Sequence, residues 1–111
     1  MDSILTSIKK LLGITEDCTD FDIDIVMHIN SVFSVLNQLA VGPSKGFSIE
    51  DDSTTWDEYV SDNEKLNMVR TYVYLKVKLV FDPPANSSVL ASMERQITEL
   101  ETRLNIAAES R

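Results

Sequence analysis

The spacing of apolar residues along the chain predicts four helices. The first covers about residues 3–12, where apolar residues recur every three or four positions. Lys9 falls on the opposite, polar side of this predicted helix. Asp2 or Ser3 can cap its start, and Gly13 is a typical left-handed stop.

The second predicted helix covers about residues 20–40 and is apolar around most of its circumference. Its main stripe follows spacings of four, three, four and three residues from Ile25 to Leu39. A helix this apolar lies at the centre of a bundle or is covered by another subunit. Residues 19–22 resemble a capping box with Asp in place of Glu, and Gly42-Pro43 ends the helix.

Two further helices are predicted at about residues 62–81 and 87–108. Ser61 and Glu64 form a capping box at the start of the first of these. Residues 72–81 also alternate as a strand would, but the apolar pattern extends over about 20 residues, too long for an ordinary strand. The last helix carries a heptad seam. The seam residues are Leu90, Met93, Ile97, Leu100, Leu104 and Ala107.

The segment between the second and third helices, residues 41–61, holds two of the three glycines. Its stretches 47–49 and 56–60 could form a short β-hairpin or two turns folded against the helices. A connection of about 20 residues is long enough to suggest contact with a partner, and we expect it to be the most mobile part of the free subunit. The sequence therefore predicts an all-α fold. The predicted architecture is a small four-helix bundle with a long structured loop, in a single domain spanning residues 1–111.

Composition agrees with a globular chain. The 111 residues are 43% hydrophobic and 25% charged, close to the averages for folded domains. No apolar run approaches the roughly 20 residues that a membrane span needs. The first residues show no cationic lead and no small-residue cleavage site. We therefore expect no membrane partner, and a protein that stays in the cytosol or in a particle assembled there.

The formal net charge of −8 is unevenly distributed. Residues 42–66 carry seven acidic and two basic side chains, whereas residues 67–84 carry three basic and one acidic. Nucleic-acid-binding proteins need a dense basic surface to neutralise phosphates. Sequence-specific binding to DNA or RNA is therefore not expected.

The basic side chains of the third predicted helix form a row. Arg70, Tyr74 and Lys78 follow at i, i+4 and i+8. This row could dock an acidic partner, such as residues 42–66 of a neighbouring copy, or consist simply of solvated cations beside a surface tyrosine. Phe47 and Trp56 are further candidates for an interface with another subunit or partner. Segregated charge in one chain favours head-to-tail association, which can close into a ring.

Candidate catalytic and metal-binding residues are few. His28 has no serine or cysteine at a recognisable motif spacing, and acidic neighbours of Cys18 disfavour its thiolate. Neither Asp20–Asp24 nor Asp51-Asp52 is followed by glycine at the sixth loop position, which a calcium-binding EF-hand requires. We therefore expect no catalytic residues, no metal, no cofactor and no enzymatic activity.

The order of several segments resembles one known protein family. The chain is similar to the small head–tail connector, adaptor or head-completion proteins of long-tailed bacteriophages and prophages of Gram-positive bacteria. The resemblance covers nearly the whole chain, and its strongest element is an aromatic and lysine-rich run closed by Asp-Pro-Pro. The matching segments are Ser7–Ile14, Gly42-Pro43, Gly46–Ile49, Trp56, Tyr72–Pro84, Glu99 and Arg103-Leu104.

The resemblance implies a structural role in the virion at the head–tail interface, with assembly in the bacterial host cytoplasm. It implies an all-helical subunit that joins copies of itself in a ring, twelve-fold in this family, below the portal vertex. Such a ring extends the DNA channel and docks a tail-side connector or stopper protein. Its partners would be itself, the portal protein, that tail-side protein, and DNA that passes without sequence-specific binding.

The acidic residues suit a channel that DNA crosses without adhering. We hypothesise that carboxylates of residues 42–66, namely Asp51, Asp52, Asp57 and Glu58, or those at the start of the second helix, line or rim the channel, because carboxylates repel phosphates. The alternative is an acidic helical adaptor or inhibitor of a basic partner, outside any virion. Such an adaptor would be monomeric or dimeric, and its binding would depend strongly on salt.

Overall fold

The computed structural model describes residues 3–60 and 62–109, and the all-α fold is confirmed. Within these residues there is no sheet, only an isolated antiparallel bridge between Ser3 and Thr55. Of the two alternatives for residues 41–61, the β-hairpin does not form among the described residues, since a four-residue helix occupies part of its place. The helices are α1 Ile4–Leu11, α2 Asp22–Gln38, α3 Trp56–Tyr59, α4 Asn63–Phe81 and α5 Ser87–Glu109.

Helix α4 is the central element. It packs against α2 and against α5, while α1 packs on both α2 and α4. The result is a flattened arrangement of 39 × 36 × 20 Å. The prediction that α2 could be the central helix is therefore not met within the subunit, because Ile23 and Met27 of α2 are exposed. Apart from these two, the apolar face of α2 lies in the core.

The ends of α1 and α2 differ in how closely they follow the sequence pattern. Ser3 caps α1 by accepting a hydrogen bond from the Thr6 amide at 3.2 Å, and Gly13 follows with φ of +82°, as predicted. The capping box predicted for α2 is wrong. Phe21 occupies the cap position, where no side chain bonds to the helix. The first turn of α2 is instead stabilised by its two aspartates, whose charge suits the positive end of the helix dipole.

The starts of α4 and α5 are capped by side chains. Asp62 caps α4 by accepting hydrogen bonds from the amides of Glu64 and Lys65. The predicted cap residue Ser61 lies outside the described residues. At α5, the side chain of Asn86 accepts hydrogen bonds from the two amides that follow Ser87, within the segment predicted to supply a cap.

The segment between α2 and α4 is part of the core. Asn30 of α2 holds it with two hydrogen bonds, donating to the Ile49 carbonyl at 2.9 Å and accepting from the Ile49 amide at 2.8 Å. The Tyr59 hydroxyl donates to the Val41 carbonyl at 3.2 Å, and burial raises the pKa of Tyr59. These contacts join the segment to α2 and within itself, and the expectation that residues 41–61 are the most mobile part of the free subunit stays a prediction. The buried side chains of this segment are Val41, Ile49, Trp56 and Tyr59.

Two buried polar contacts join the helices. Lys9 of α1 is only 3% exposed, and its Nζ lies 2.8 Å from Asp22 Oδ1 and donates to the Glu16 carbonyl. Its predicted place on the polar side is therefore wrong. The Tyr72 hydroxyl of α4 donates to Glu101 Oε2 of α5 at 2.7 Å, and burial, followed by the bond to Glu101, raises the pKa of Tyr72. The phenol therefore stays neutral around physiological pH.

None of the helices in the described residues is both long and apolar enough to cross a membrane.

Candidate interaction surfaces

The row of Arg70, Tyr74 and Lys78, here called the basic ridge, lies on α4 with each residue partly exposed. The Arg70 guanidinium lies 5.6 Å from the centre of the Trp56 ring, a cation–π contact. Lys78 Nζ is 2.9 Å from Asp82 Oδ2, one helical turn further on. Both cations are therefore held in place by neighbours while remaining partly accessible.

Trp56 and Phe47 have roles inside the subunit. Trp56 is 1% exposed and its Nε1 donates to Ser7 Oγ at 2.7 Å, so its predicted direct contact with a partner does not fit this structure. Its ring instead makes the cation–π contact that orients the Arg70 guanidinium. Phe47 is half-buried, and its ring packs edge-on against Phe33 with centroids 5.2 Å apart.

Two of the four predicted channel carboxylates lie in a cleft with an apolar floor. This acidic cleft has a volume of about 410 Å³. Ile23, which also lines the cleft, is 86% exposed. The cleft is lined by Leu5, Ile23 and Val26 and by the carboxylates Asp22, Glu50, Asp51 and Asp52.

Asp51 is fixed at the rim of the acidic cleft. Its Oδ1 accepts hydrogen bonds from the Ser53 hydroxyl at 2.5 Å and from the Ser53 amide at 2.9 Å. These two bonds, the hydroxyl first, lower the pKa of Asp51. Asp51 therefore keeps its negative charge to a lower pH than a free aspartate does.

Asp57 and Glu58 are exposed on α3 and are not among the residues that line the cleft. The Thr55 amide donates to Glu58 Oε2 at 2.7 Å, and the Thr55 hydroxyl donates to Asp57 Oδ1. Glu58 thus completes a capping box at the start of α3. The structure divides the four predicted carboxylates into a pair in the cleft and a pair on α3.

Helix α1 separates the acidic cleft from the basic ridge. Leu5 lines the cleft, whereas Ser7 binds the tryptophan on which Arg70 rests. Residues two positions apart on an α-helix are separated by roughly 200° around its axis. Leu5 and Ser7 therefore point to opposite sides of α1. The subunit therefore carries two unlike surfaces that do not overlap.

The remaining candidate for chemistry is His28. It lies half-buried in a groove of about 280 Å³ between α2 and α4, with Lys76 and Val80 opposite. Ser31 shares this groove but donates its hydroxyl to the Met27 carbonyl at 3.0 Å. Across residues 3–60 and 62–109, no group of three or more histidine, cysteine and acidic residues is placed to hold a metal ion.

Comparison with known protein families gives one match. The profile of a family described as phage connector protein matches residues 4–111. The chain belongs to the phage connector family. This match confirms the resemblance to head–tail connectors drawn from the sequence. It places the chain in a family of structural proteins rather than enzymes. No curated protein and no solved structure gives a significant match.

In this phage connector protein, the floor of the acidic cleft was not predicted. Ile23 stands between Asp22 and Asp24, in a helix whose sequence is apolar around most of its circumference. The angular position of Ile23, away from the buried line of Ile25 and Ile29, was a signal that could have identified it. Glu50 became part of the site only because the loop folds back onto α2.

Proposed function

We propose that this connector assembles into a ring below the portal vertex, extends the DNA channel and joins the filled head to the tail or a stopper protein. The observation that carries this proposal is the pair of unlike surfaces on opposite sides of α1. A subunit with two different contact surfaces associates head to tail, and such association gives a ring when the rotation between subunits closes. Membership of the phage connector family supports the same role.

The finer details belong to the same proposal. We take the ring to be twelve-fold, bound to the portal on one side and to a tail-side protein on the other. Its place is the head–tail interface of the virion, after assembly in the host cytoplasm. Because each subunit carries a net charge of −8, the ring would repel the phosphates of DNA and let it slide.

The first experiment is light scattering behind a size-exclusion column at several protein concentrations, with negative-stain images of any large species. It is run with the chain alone and with its portal protein. A closed ring in either sample supports the proposal. A monomer or dimer that ignores the portal contradicts it. If that species instead binds a basic protein with strong salt dependence, the acidic adaptor described above is the better description.

Within this proposal the exposed pair on α3 is the candidate channel rim. Replacing Asp57→Asn together with Glu58→Gln removes two charges, while the glutamine can still accept the hydrogen bond from the Thr55 amide. We expect ring formation to be unchanged and DNA retention or ejection in reconstituted particles to be altered. Loss of assembly with normal DNA behaviour in residual particles would show that these carboxylates are interface residues.

A further inference from the structure

We infer that the acidic cleft of one subunit receives the basic ridge of the next copy. This inference rests on the proposed ring and names its contact surfaces. The cleft supplies an exposed apolar floor inside a carboxylate rim, and the ridge supplies two cations on either side of a tyrosine.

The cleft carries charge that the subunit does not neutralise. Lys9 is paired with Asp22, but no basic side chain is among the described residues that line the cleft. Glu50, Asp51 and Asp52 are all exposed, so three carboxylates surround Ile23 without a matching cation at the lining. An apolar residue exposed to this extent within an acidic rim fits an occupant that is both apolar and cationic.

The basic ridge has this combination. Arg70, Tyr74 and Lys78 form a row of roughly 12 Å, since each residue of an α-helix advances 1.5 Å. The phenol ring can cover apolar surface while the cations at either end meet carboxylates, with Lys78 sharing or exchanging its exposed ion pair with Asp82. Arg70 is already oriented by Trp56, which lowers the entropy lost when it binds.

A second copy is the occupant favoured by the distribution of charge within the chain. Residues 42–66 contain the cleft rim and are strongly acidic, whereas residues 67–84 contain the ridge and are net basic. Because the cleft and the Arg70 end of the ridge lie on different sides of α1, the ridge of a subunit does not face its own cleft. Each copy therefore offers one cleft and one ridge to two different neighbours, as head-to-tail association requires.

The test reverses charge on each surface separately and then on both. The cleft variant is D51K/D52K and the ridge variant is R70E/K78E. Each alone should weaken self-association by at least about tenfold, measured by sedimentation at several concentrations. A chain with all four substitutions has the charges exchanged and should recover association. A 1:1 mixture of the two variants should also assemble.

The matched control is D17K/E94K, which changes the net charge by the same amount as the cleft variant at exposed positions outside both surfaces. It should not lose association as the cleft variant does. Circular dichroism of every variant shows that the helices are retained. Where the wild type assembles only on its portal, the same series is measured with the portal present.

Three results would overturn the inference. One is a cleft variant that associates as well as D17K/E94K. Another is a folded four-substitution chain that does not recover. The third is a cleft variant that still self-associates but loses portal binding, which assigns the cleft to the portal. In all three the wild-type ring still forms, so the proposed function stands. That function fails only when the wild type neither forms a ring nor binds the portal.

Discussion

At the scale of single residues, the clearest constraint is the close approach of Gly42 to Tyr59. Gly42 has φ of +83°, and a Cβ built on it would lie 2.5 Å from Cε1 of the Tyr59 ring. Gly13 has nearly the same φ, +82°, but a Cβ there would meet nothing within 4 Å. The two glycines therefore share a backbone requirement and differ in side-chain space.

Comparing alanine substitutions at Gly13 and Gly42 cancels the backbone cost, because the two residues have nearly the same φ. Gly13→Ala should lower the free energy of unfolding by about 1–2 kcal/mol, the cost of a left-handed conformation for an L-residue. Gly42→Ala should cost that amount plus about 1–3 kcal/mol for displacing the Tyr59 ring. Urea unfolding of both variants measures the difference. Equal losses would mean that the ring and its bond to Val41 shift without cost.

At the scale of helices, the ion pair of Lys9 and Asp22 fixes the end of α1 against the start of α2. The two atoms are 2.8 Å apart but poorly aligned as a hydrogen bond, so charge attraction dominates. The partners differ in access to water, because the side chain of Lys9 is 4% exposed and that of Asp22 is 28% exposed. Removing one partner is therefore not equivalent to removing the other.

Asp22→Asn should lower the free energy of unfolding by about 3 kcal/mol, because it leaves a buried ammonium without its counter-charge. Lys9→Met should cost less, about 1 kcal/mol, because the Asp22 side chain as a whole is 28% exposed, although the Oδ1 that faces Lys9 is buried. Asp24→Asn is the matched control. It removes another first-turn charge of α2 from an exposed position and should change stability by less than about 0.5 kcal/mol. Chemical denaturation ranks the three, and a larger loss for Lys9→Met than for Asp22→Asn would contradict this account.

Sequence pattern was sufficient for the long helices because their signals are local. The heptad seam predicted α5, and Met93, Ile97 and Leu104 of that seam are buried. Length decided correctly between helix and strand for α4. The burial of Lys9 could not be predicted this way, since its partner is thirteen residues away and no periodicity links them. Helix α3 was missed although its Thr-x-x-Glu capping box is visible in the sequence, because four residues show no helical period.

The interaction surfaces were only partly predictable for the same reason. The basic ridge follows directly from helical spacing, so Arg70, Tyr74 and Lys78 were found. The acidic cleft depends on how residues 50–52 fold back onto α2, which Asn30 determines through its bonds to Ile49. Such long-range contacts leave no periodic trace in the sequence.

At the scale of the whole molecule, α4 is shared by two parts of the core. One part is its packing with α1 and α2, and the other is its packing with α5. The only tryptophan, Trp56, lies in the first part, where it contacts Ser7 and Phe33. Its fluorescence therefore reports on the packing around α1 and α2, whereas circular dichroism reports on all the helices.

We predict that the subunit unfolds in one cooperative transition. Helix α4 packs against α1 and α2 and also against α5, so the loss of either set of contacts exposes apolar surface of α4. Leu104→Ala in α5 and Ile29→Ala in α2 each remove a fully buried side chain and should each cost about 2–5 kcal/mol. In both variants the transitions measured by tryptophan fluorescence and by circular dichroism should coincide. If Leu104→Ala instead loses part of its helical signal while the fluorescence of Trp56 is unchanged, α5 unfolds on its own. The ring subunit would then be a rigid α1–α2–α4 unit with a detachable C-terminal helix.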